Sequence, residues 1–536
     1  MKLWHLVLLT GVLWAGVYLP GLGSVELKGE EARRVVPGRT MLQTGDWVVP
    51  RVGGKAYSRK PPLVNWIAAA SFSISGVQNE WSARLPTAFA VLALALATAV
   101  LVARSIGVRE AFFAVLFLLT NIGLMEKGRL AEIEGLYISL TGIAILLWVV
   151  SWHRQASPWG RWLWAFLFLG LAFLAKGPPH LIFFYAIVWG LLRASGQSRE
   201  WKHPAHFAGW VVFAVIVLPW ALANQMHNES GNSGDVWLEQ MTARLDPRQY
   251  DIGSWLRAIP QSLINYLPWV LLVPLWWNPA VEQRWRQRGE RSLALFRGLR
   301  WGTVLAFLVI VLIPTSRPRF SLPLLVPASV LLGMAVAELR GLKKEAVVRW
   351  WRWACFGGGV LLLIASLMVP YLAWPQGALL ALLESVVLVG GVFVLLRALR
   401  LARGTPSLEK LGFCSAGLAI LLGAFYAFAV VPEVNRHDDV RSFGAEVRLA
   451  TANGRPIVVY KAGYQPFTFY LGAETREVAS WNGLGDQLAW ILLRTGRWEQ
   501  ERGKLTAKFG KPEFVFDFEN PREHDEKKQY LLAGWK

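Results

Sequence analysis

Long apolar runs without a charged residue recur along this chain, and they limit what it can fold into. Two examples run from Phe112 to Met125 and from Trp210 to Asn224. A helix needs about 20 apolar residues to cross the hydrocarbon core of a bilayer, so such runs are typical of membrane spans. Only 17% of the 536 residues are charged, whereas about a quarter are charged in a soluble domain. The sequence therefore predicts an α-helical polytopic membrane protein.

About thirteen segments have the composition of a membrane span. They are 3–22, 86–103, 110–125, 135–151, 162–175, 178–194, 206–224, 262–277, 301–315, 320–338, 354–373, 378–396 and 411–431. The first follows Lys2 and could be a signal peptide. No convincing small-residue cleavage site follows it and many spans come after it, so we interpret it as an uncleaved first span.

The positive charge of the chain is confined to particular loops. The net charge is +20, and the excess lies in short loops between the apolar segments. These loops contain Arg284, Arg286, Arg288, Arg291, Arg297, Arg300, Arg340, Lys343, Lys344, Arg349, Arg352, Arg397, Arg400, Arg403 and Lys410. Basic short loops are typical of the cytoplasmic side of a membrane protein. A nucleic-acid-binding protein would need one basic surface on a soluble domain, so this class is excluded.

This threading predicts the topology and two domains. The N-terminus is cytoplasmic and an odd number of spans precedes Pro432, so the tail lies in the periplasm of a bacterium with two membranes. Residues 1–431 form the membrane domain, whose first outer loop, 23–85, contains an interfacial helix at Leu63–Phe72. Residues 432–536 form a small α/β domain. Its predicted strands are Ile457–Tyr460 and Phe514–Phe518, and its predicted helices are Val440–Ala452 and Leu484–Leu493.

The first outer loop contains acids and bases close together. Glu30 and Glu31 precede Arg33 and Arg34, and Lys60 follows later in the loop. To transfer a sugar from a lipid phosphate, a carboxylate must take the proton of the acceptor, and cations must neutralise the departing phosphate. These residue types are present. A solvated interfacial segment with ion pairs is the alternative interpretation.

The second outer loop adds Glu132 and Glu134 at the head of the fourth predicted span. A charge at this depth is costly unless it faces protein or water, so the pair is a candidate for the same site. The alternative is that these acids complement the dipole of the helix N-terminus. Two other polar residues within apolar segments, Glu384 and His180, are interpreted as structural.

Three blocks of the first loop resemble those of glycosyltransferase family 39 and its relatives. They are Leu27–Arg34 (LKGEEARR), Met41–Arg51 (MLQTGDWVVPR) and Tyr57–Trp66 (YSRKPPLVNW). This group includes the protein O-mannosyltransferases and the bacterial lipid A aminoarabinose transferases. Further matches are RLP at Arg84, AKGP at Ala175, LPW at Leu218 and Leu267, and RPRFSLP at Arg317. The resemblance implies the GT-C architecture and a polyprenyl phosphate sugar as donor.

The resemblance also implies roles for individual residues. Glu30 stands where the family has its catalytic aspartate and Glu134 where it has its second acid. Glu31 and Arg33 match neighbouring positions, and Lys60 matches the lysine that holds the lipid phosphate. Further substrate-binding candidates are Arg59, Arg244 and Arg317. The chain departs from the family pattern at Glu30, Glu134 and Arg34, where an aspartate, an aspartate and an aromatic are usual.

The partners and alternatives follow from this resemblance. The expected partners are a polyprenyl (undecaprenyl) phosphate sugar, membrane lipids and a periplasmic acceptor, which is lipid A, another glycan or protein. No cofactor is certain, and a divalent cation stays open, although no cluster of metal ligands is visible. The alternative functions are a transporter or flippase for a lipid-linked solute and a noncatalytic scaffold. The charges lie in an outer loop rather than at the bilayer midplane, which favours transfer over transport.

Overall fold

The computed structural model describes residues 1–27, 29–52, 55–57, 60–227, 242, 248, 250–339, 345–367, 378–401, 407–435, 440–450, 457–460, 466–471, 475–478, 484, 490–518 and 530–535. Most of them lie in helices. The helices up to residue 227 are α1 (Leu3–Tyr18), α2 (Glu30–Thr44), α3 (Leu63–Ser75), α4 (Glu80–Ser105), α5 (Val108–Leu119), α6 (Ile122–Lys127), α7 (Ile133–His153), α8 (Pro158–Lys176), α9 (His180–Ser195) and α10 (Pro204–His227). A short 3-10 helix, Ser198–Lys202, precedes α10.

The second half of the membrane region is also helical. Its helices are α11 (Ile252–Ile264), α12 (Pro279–Gln287), α13 (Glu290–Val311), α14 (Leu325–Ala337), α15 (Glu345–Ser366), α16 (Ala378–Leu401) and α17 (Leu408–Phe425), with 3-10 helices at Trp269–Trp277 and Pro318–Leu324. After α17 the chain continues through a π-helical turn, Tyr426–Val430, into α18 (Val431–Asn435).

The predicted class of fold is confirmed. Among the described residues, eight helices are long and apolar enough to cross a membrane, or nine if α11 and the 3-10 helix Trp269–Trp277, bent by 89°, form one broken span. Three shorter apolar helices are α1, α3 and α9. Each of the thirteen predicted segments contains a helix, but the number that spans the bilayer stays a prediction.

The helix that contains the second predicted span, 86–103, begins upstream of it. Helix α4 starts at Glu80, and Pro86 lies inside it. The side chain of Asn79 accepts a hydrogen bond from the Ser82 backbone N–H at 2.9 Å and caps the helix. The predicted bounds of the loop outside the bilayer, 23–85, stay a prediction.

Helices α2 and α3 pack against each other in the first loop. Gly38 of α2 faces the α3 backbone, where an added Cβ would lie 2.7 Å from the Asn65 carbonyl oxygen. The Asn65 side chain donates to the Arg34 carbonyl at 2.7 Å. Close approach and this hydrogen bond join the Glu30 helix to the helix that follows the Lys-Pro-Pro block. The predicted apolar helix Leu63–Phe72 is α3.

Ion pairs collect at the two ends of the helical bundle. At one end Arg288 contacts Glu110 and Glu338, and Arg109 contacts Glu409 at 2.6 Å. The other end contains α2, α3 and the loop between α6 and α7, which the next section describes. This separation agrees with the threading predicted from the sequence, in which the loops after α12 and α14 share one side.

The C-terminal residues form a five-stranded mixed sheet with helices α19 (Val440–Ala450) and α20 (Thr495–Phe509). The strands are β3 (Ile457–Tyr460), β4 (Thr475–Val478), β5 (Trp490–Arg494), β6 (Phe514–Phe518) and β7 (Tyr530–Gly534), in the order β4-β3-β5-β7-β6. Two short strands, β1 (Arg51–Val52) and β2 (Lys55–Ala56), form a hairpin in the first loop.

One predicted element of the C-terminal region was wrong. The helix expected at Leu484–Leu493 is not formed over its described second half, because Trp490–Arg494 is the central strand β5. It pairs with β3 and β7, and its first four residues are buried. A short apolar run without clear periodicity fits a buried strand as well as a helix, and only the neighbouring strands decide between them.

Candidate active site

A buried ion pair joins the two outer loops. Glu31 contacts Arg84 of α4, with Oε1 2.7 Å from Nε and Oε2 2.8 Å from Nη2. The same carboxylate accepts a hydrogen bond from the Ala131 backbone N–H at 2.8 Å. Arg84 also donates to the carbonyls of Leu22, Val25 and Glu26. The loop that leads to Glu30 and the loop that leads to Glu134 are therefore joined at the Glu31 carboxylate, which Arg84 holds from α4.

Glu30 lies at the first position of α2, on the more accessible side of the loop. Its side chain is 36% exposed and contacts Arg33 at 2.8 Å and Arg34 at 2.7 Å. Arg34 also donates to the Tyr57 hydroxyl at 2.8 Å. The preceding residue, Gly29, has a φ of +53°, a conformation that favours glycine. This arrangement leaves a carboxylate that an acceptor can reach from outside the bundle.

Glu134 lies in the first turn of α7 and is buried. Its Oε1 is 3.3 Å from Lys176 Nζ at the end of α8 and 3.6 Å from Arg319 Nε. The Lys176 ammonium also lies over the rings of Tyr137, at 4.8 Å, and Phe320, at 5.5 Å. Buried charges in membrane proteins are usually paired and functional. Glu134 of α7 therefore contacts two cations, which two other segments of the chain contribute.

A second acid–base group lies beside Glu134. Lys127 Nζ is 3.2 Å from Glu132 Oε2 and 2.9 Å from Glu126 Oε1. Burial raises the pKa of Glu132, and the charges of Glu134 and Glu31 raise it further against the opposing effect of Lys127. Burial acts to lower the pKa of Lys127, but Glu132 and Glu126 outweigh it and raise that pKa. Three carboxylates, Glu31, Glu132 and Glu134, therefore lie close enough at this end of the bundle to affect one another's charge.

A cavity of about 390 Å³ borders the Glu31–Arg84 pair. Its polar lining is Glu26, Glu31, Arg84, Glu126 and Arg129, and its apolar lining comes from α1, α6 and α17. Arg129 donates to the Val17 carbonyl at 2.6 Å and lies over the Tyr426 ring at 4.6 Å. The mixed lining suits an amphiphilic group, with charges near the outer loops and apolar walls between helices.

The remaining predicted substrate-binding residues are placed unevenly. Lys60 is half-buried just before α3, and Arg33 contacts Glu30. Arg317 is exposed before the 3-10 helix Pro318–Leu324, and Arg319, two residues later, is the residue that contacts Glu134. Arg59 and Arg244 lie outside the described residues.

The Gly-Asp-Trp block acts as a structural anchor of the first loop. Asp46 accepts hydrogen bonds from the backbone N–H groups of Val48 and Val49 at 3.0 and 3.1 Å. Burial acts to raise the pKa of Asp46, but these bonds and Arg51 outweigh it and lower that pKa. Trp66 and Trp220 donate to the carbonyls of Trp47 and Val48 at 2.8 and 3.0 Å. Three blocks that are distant in sequence thus meet at one turn.

Four residues of the site were not assigned a role from the sequence. They are Arg84, Lys127, Lys176 and Arg319. Arg84, Lys176 and Arg319 lie inside blocks that match the family, RLP, AKGP and RPRF, so the signal for them was present. Their partners are 53, 42 and 185 residues away in sequence. Contacts over such separations cannot be predicted from the pattern of neighbouring residues. Lys127, whose partners are Glu126 and Glu132, lies in none of these three blocks.

The carboxylates of the site are possible metal ligands. Among the described residues, no group of three or more His, Cys, Asp or Glu side chains could hold a metal ion. Glu31, Glu132 and Glu134 each contact a guanidinium or an ammonium instead. Hard divalent cations prefer several oxygen ligands, whereas each of these carboxylates already has a basic partner.

Comparison with known proteins shows what this chain resembles. Residues 59–222 match the family described as dolichyl-phosphate-mannose-protein mannosyltransferase. The chain is 27% identical over 355 residues to the undecaprenyl phosphate-α-4-amino-4-deoxy-L-arabinose arabinosyl transferase of Edwardsiella ictaluri, covering 64% of this chain and 61% of that protein. A second transferase of this name, from Pseudomonas fluorescens, is 28% identical, with 63% and 60% covered. The matched part thus spans about three fifths of these relatives.

Solved structures show the same fold. ArnT from Cupriavidus metallidurans, bound to undecaprenyl phosphate, superposes with a TM-score of 0.73 at 19% identity, covering 99% of this chain and 98% of that one. An oligosaccharyltransferase from Archaeoglobus fulgidus gives a TM-score of 0.51 at 11% identity, with 91% and 69% covered. The chain therefore has the fold of a GT-C membrane glycosyltransferase. Within that class it is similar to the aminoarabinose transferases, as the first-loop blocks indicated.

Proposed function

We propose that this protein is a membrane glycosyltransferase that moves a sugar from a polyprenyl phosphate to an acceptor at the outer face of the membrane. One observation carries the proposal: the Glu31 carboxylate binds both Arg84 and the Ala131 N–H, so the acidic segments of two outer loops meet. The relatives' names, which specify undecaprenyl phosphate and an arabinosyl transfer, support the donor class and favour transfer over the transporter alternative.

The reaction is a single displacement at the anomeric carbon. The acceptor oxygen or nitrogen forms a bond to this carbon, and the bond from the carbon to the phosphate oxygen breaks. Its electron pair leaves with the polyprenyl phosphate, and the proton of the acceptor passes to a carboxylate. Glu30 is assigned as this base, because it is the more accessible acid of the first loop.

The cations have separate roles in this proposal. Lys60 holds the lipid phosphate and stabilises the charge that develops on it, together with Arg59, Arg244 and Arg317. Lys176 and Arg319 hold the Glu134 carboxylate, which orients the acceptor or the sugar ring. Glu31 positions the loop through Arg84, and Arg33 orients Glu30.

The acceptor and the location follow from the same proposal. Lipid A is the leading acceptor, with another glycan or a protein as alternatives. The proposal places the chain in the bacterial inner membrane with thirteen spans, the N-terminus in the cytoplasm and residues 432–536 in the periplasm as an α/β domain. The ion pairs around Arg288 and Arg109 would then lie on the cytoplasmic side, which agrees with the basic loops there.

The deciding experiment follows label from a purified donor. Undecaprenyl phosphate carrying a labelled aminoarabinose is incubated with the purified protein and with lipid A, glycan or protein fractions. We expect label in the lipid A fraction and a loss of about 100-fold or more in Glu30→Gln, because a positioned general base contributes about 10²–10⁴-fold. Glu499→Gln, an exposed acid on α20, is the matched control and should transfer normally.

A second measurement separates binding from chemistry. Lys60→Ala should weaken the binding of undecaprenyl phosphate by about 10-fold or more, because hydrogen bonds to charged groups contribute about 1.5–3 kcal/mol. Lys504→Ala, at an exposed lysine of α20, should bind the lipid phosphate as the unmodified protein does. Absence of label from every acceptor fraction would overturn the proposed function, and full activity of Glu30→Gln would overturn the role of Glu30.

A further inference from the structure

The C-terminal region contacts the loop that leads to Glu30. The Tyr470 hydroxyl accepts a hydrogen bond from the Leu27 backbone N–H at 2.7 Å and donates one to Glu80 Oε1 at 2.8 Å. Leu27 precedes Glu30 by three residues, and Glu80 begins α4. One hydroxyl of the C-terminal region therefore links the backbone of the first loop to the following helix.

Arg441 of α19 strengthens this link. Its Nε lies 2.6 Å from the same Glu80 oxygen, and its backbone N–H donates to Glu26 Oε1 at 2.9 Å. Glu26 is only 4% exposed. Two consecutive residues of the loop, Glu26 and Leu27, are thus held from the C-terminal side. We name Tyr470, Arg441 and Glu80 the C-terminal latch.

Apolar contacts bury Tyr470, the central residue of the latch. Phe469 and Tyr470 belong to one buried cluster with Leu27, Ala32 and Phe72, among others. Arg39 of α2 donates to the Phe469 carbonyl at 2.8 Å, and its guanidinium lies 4.3 Å from the centre of the Phe469 ring. Burial and the charge of Glu80 raise the pKa of Tyr470, so its hydroxyl keeps its proton and continues to donate.

The segment before Glu30 is held by hydrogen bonds from two directions. Gly29 adopts a positive φ immediately before α2. Arg84 holds the carbonyls of Leu22, Val25 and Glu26 from the membrane side, whereas the latch holds the Leu27 N–H and the Glu26 carboxylate. Glu26 is therefore held from both sides, and its neighbour Leu27 is bonded by the latch, three residues before Glu30 begins its helix.

We propose that Tyr470 is a positioning residue, which sets the place of the Glu30 carboxylate through the Leu27 backbone without contacting the substrate. The inference rests on the proposed function. A misplacement of about 1 Å at a reacting group can cost about 100-fold in rate. The C-terminal region would then contribute to the rate of transfer at a site formed by the membrane region.

The first experiment tests the contact itself and needs no activity. Hydrogen exchange of residues 24–31 is compared between the unmodified protein and Tyr470→Phe, which lacks both hydroxyl bonds and keeps the ring in its cluster. We expect exchange at the Leu27 amide to rise by about 10-fold or more, because its partner is lost. Trp535→Phe removes a C-terminal hydrogen bond to the Gly510 carbonyl and should leave this exchange unchanged.

The second experiment tests positioning. Expressed per donor-binding site, kcat should fall by about 10–100-fold in Tyr470→Phe with an unchanged KM for the donor, and should stay normal in Trp535→Phe. Glu30→Asp should cost less in the Tyr470→Phe background than alone, because the base is already misplaced. If Tyr470→Phe fails to fold, Tyr470→Leu provides the same test, because it also removes the hydroxyl that bonds Leu27 and Glu80 and keeps an apolar side chain in the cluster.

The outcomes separate the two proposals. Unchanged exchange at Leu27, or faster exchange with an unchanged kcat, overturns the positioning role while transfer by the unmodified protein still supports the function. Multiplicative losses in the double variant also overturn it. If the unmodified protein transfers no label, the proposed function fails and the positioning role fails with it, whereas the exchange result still reports whether the latch holds the loop.

Discussion

Arg84 holds Glu31 through two hydrogen bonds of 2.7 and 2.8 Å, and their side chains are only 5% and 2% exposed. The neighbouring residue, Glu30, forms its ion pairs at an exposed position on the same helix. Two consecutive glutamates thus differ in environment although they share one motif. Its burial makes Glu31 a structural anchor, whereas Glu30 stays accessible for chemistry.

Glu31→Gln should therefore be much more destabilising than Glu30→Gln. Removing one partner of a buried ion pair leaves the other charge uncompensated, which costs about 3–5 kcal/mol. The Glu30 carboxylate is 36% exposed, so solvent screens its pairs with Arg33 and with the more buried Arg34 and reduces their contribution below that of a fully buried pair. The free energy of unfolding of the two variants, measured in the same detergent, checks the difference. Equal destabilisation of the two variants would contradict the assignment of Glu31 as the anchor.

Glu134 and Lys176 allow stability to be separated from catalysis. Lys176→Met should destabilise the protein by about 3 kcal/mol or more, because it leaves the buried Glu134 carboxylate with Arg319 at 3.6 Å. Adding Glu134→Gln removes that charge, so the double variant should recover much of the lost stability. Transfer should stay about 100-fold or more below normal in the double variant. Recovered transfer there would show that Glu134 has no part in the reaction.

The pH dependence of stability should reveal Glu132. Its folded-state pKa is raised above the ordinary value, mainly by burial. A raised pKa means that the folded state favours the protonated carboxyl group. This contribution to stability is fully present below the ordinary carboxyl pKa and is lost as pH rises through the folded-state pKa. Glu132→Gln should therefore be more stable than the unmodified protein at pH 7, with a difference that shrinks towards about pH 4. Thermal unfolding midpoints across this range test the sign, and a less stable variant at pH 7 would contradict it.

The role of cations in the reaction can be tested by chelation. Because Glu31, Glu132 and Glu134 contact basic side chains, we expect that Lys60 and arginines, rather than a divalent cation, stabilise the leaving phosphate. Transfer should then keep at least about half of its rate in excess chelator. Restoring Mg²⁺ or Mn²⁺ should change it little. A loss that either ion reverses would assign a metal to the donor or to the site.

Local patterns in the sequence predicted much of the membrane region. Each apolar segment contains a helix because its length and composition reflect the bilayer, which acts on every segment in the same way. Helix α3 and the strands β3 and β6 also follow from local patterns. The strand β5 was mispredicted as a helix, because its conformation depends on its neighbouring strands.

The sequence by itself determined the class of the fold and predicted the loops that contain the proposed catalytic residues. Motif spacing assigned Glu30, Lys60 and Glu134 to two predicted outer loops, because short motifs and apolar periodicity are properties of adjacent residues. Only the tertiary structure decided which distant groups contact one another. It paired Glu31 with Arg84, Glu134 with Lys176 and Tyr470 with Leu27. Such contacts depend on the packing of distant helices, where burial determines whether a charge is exposed to substrate or held by its partner.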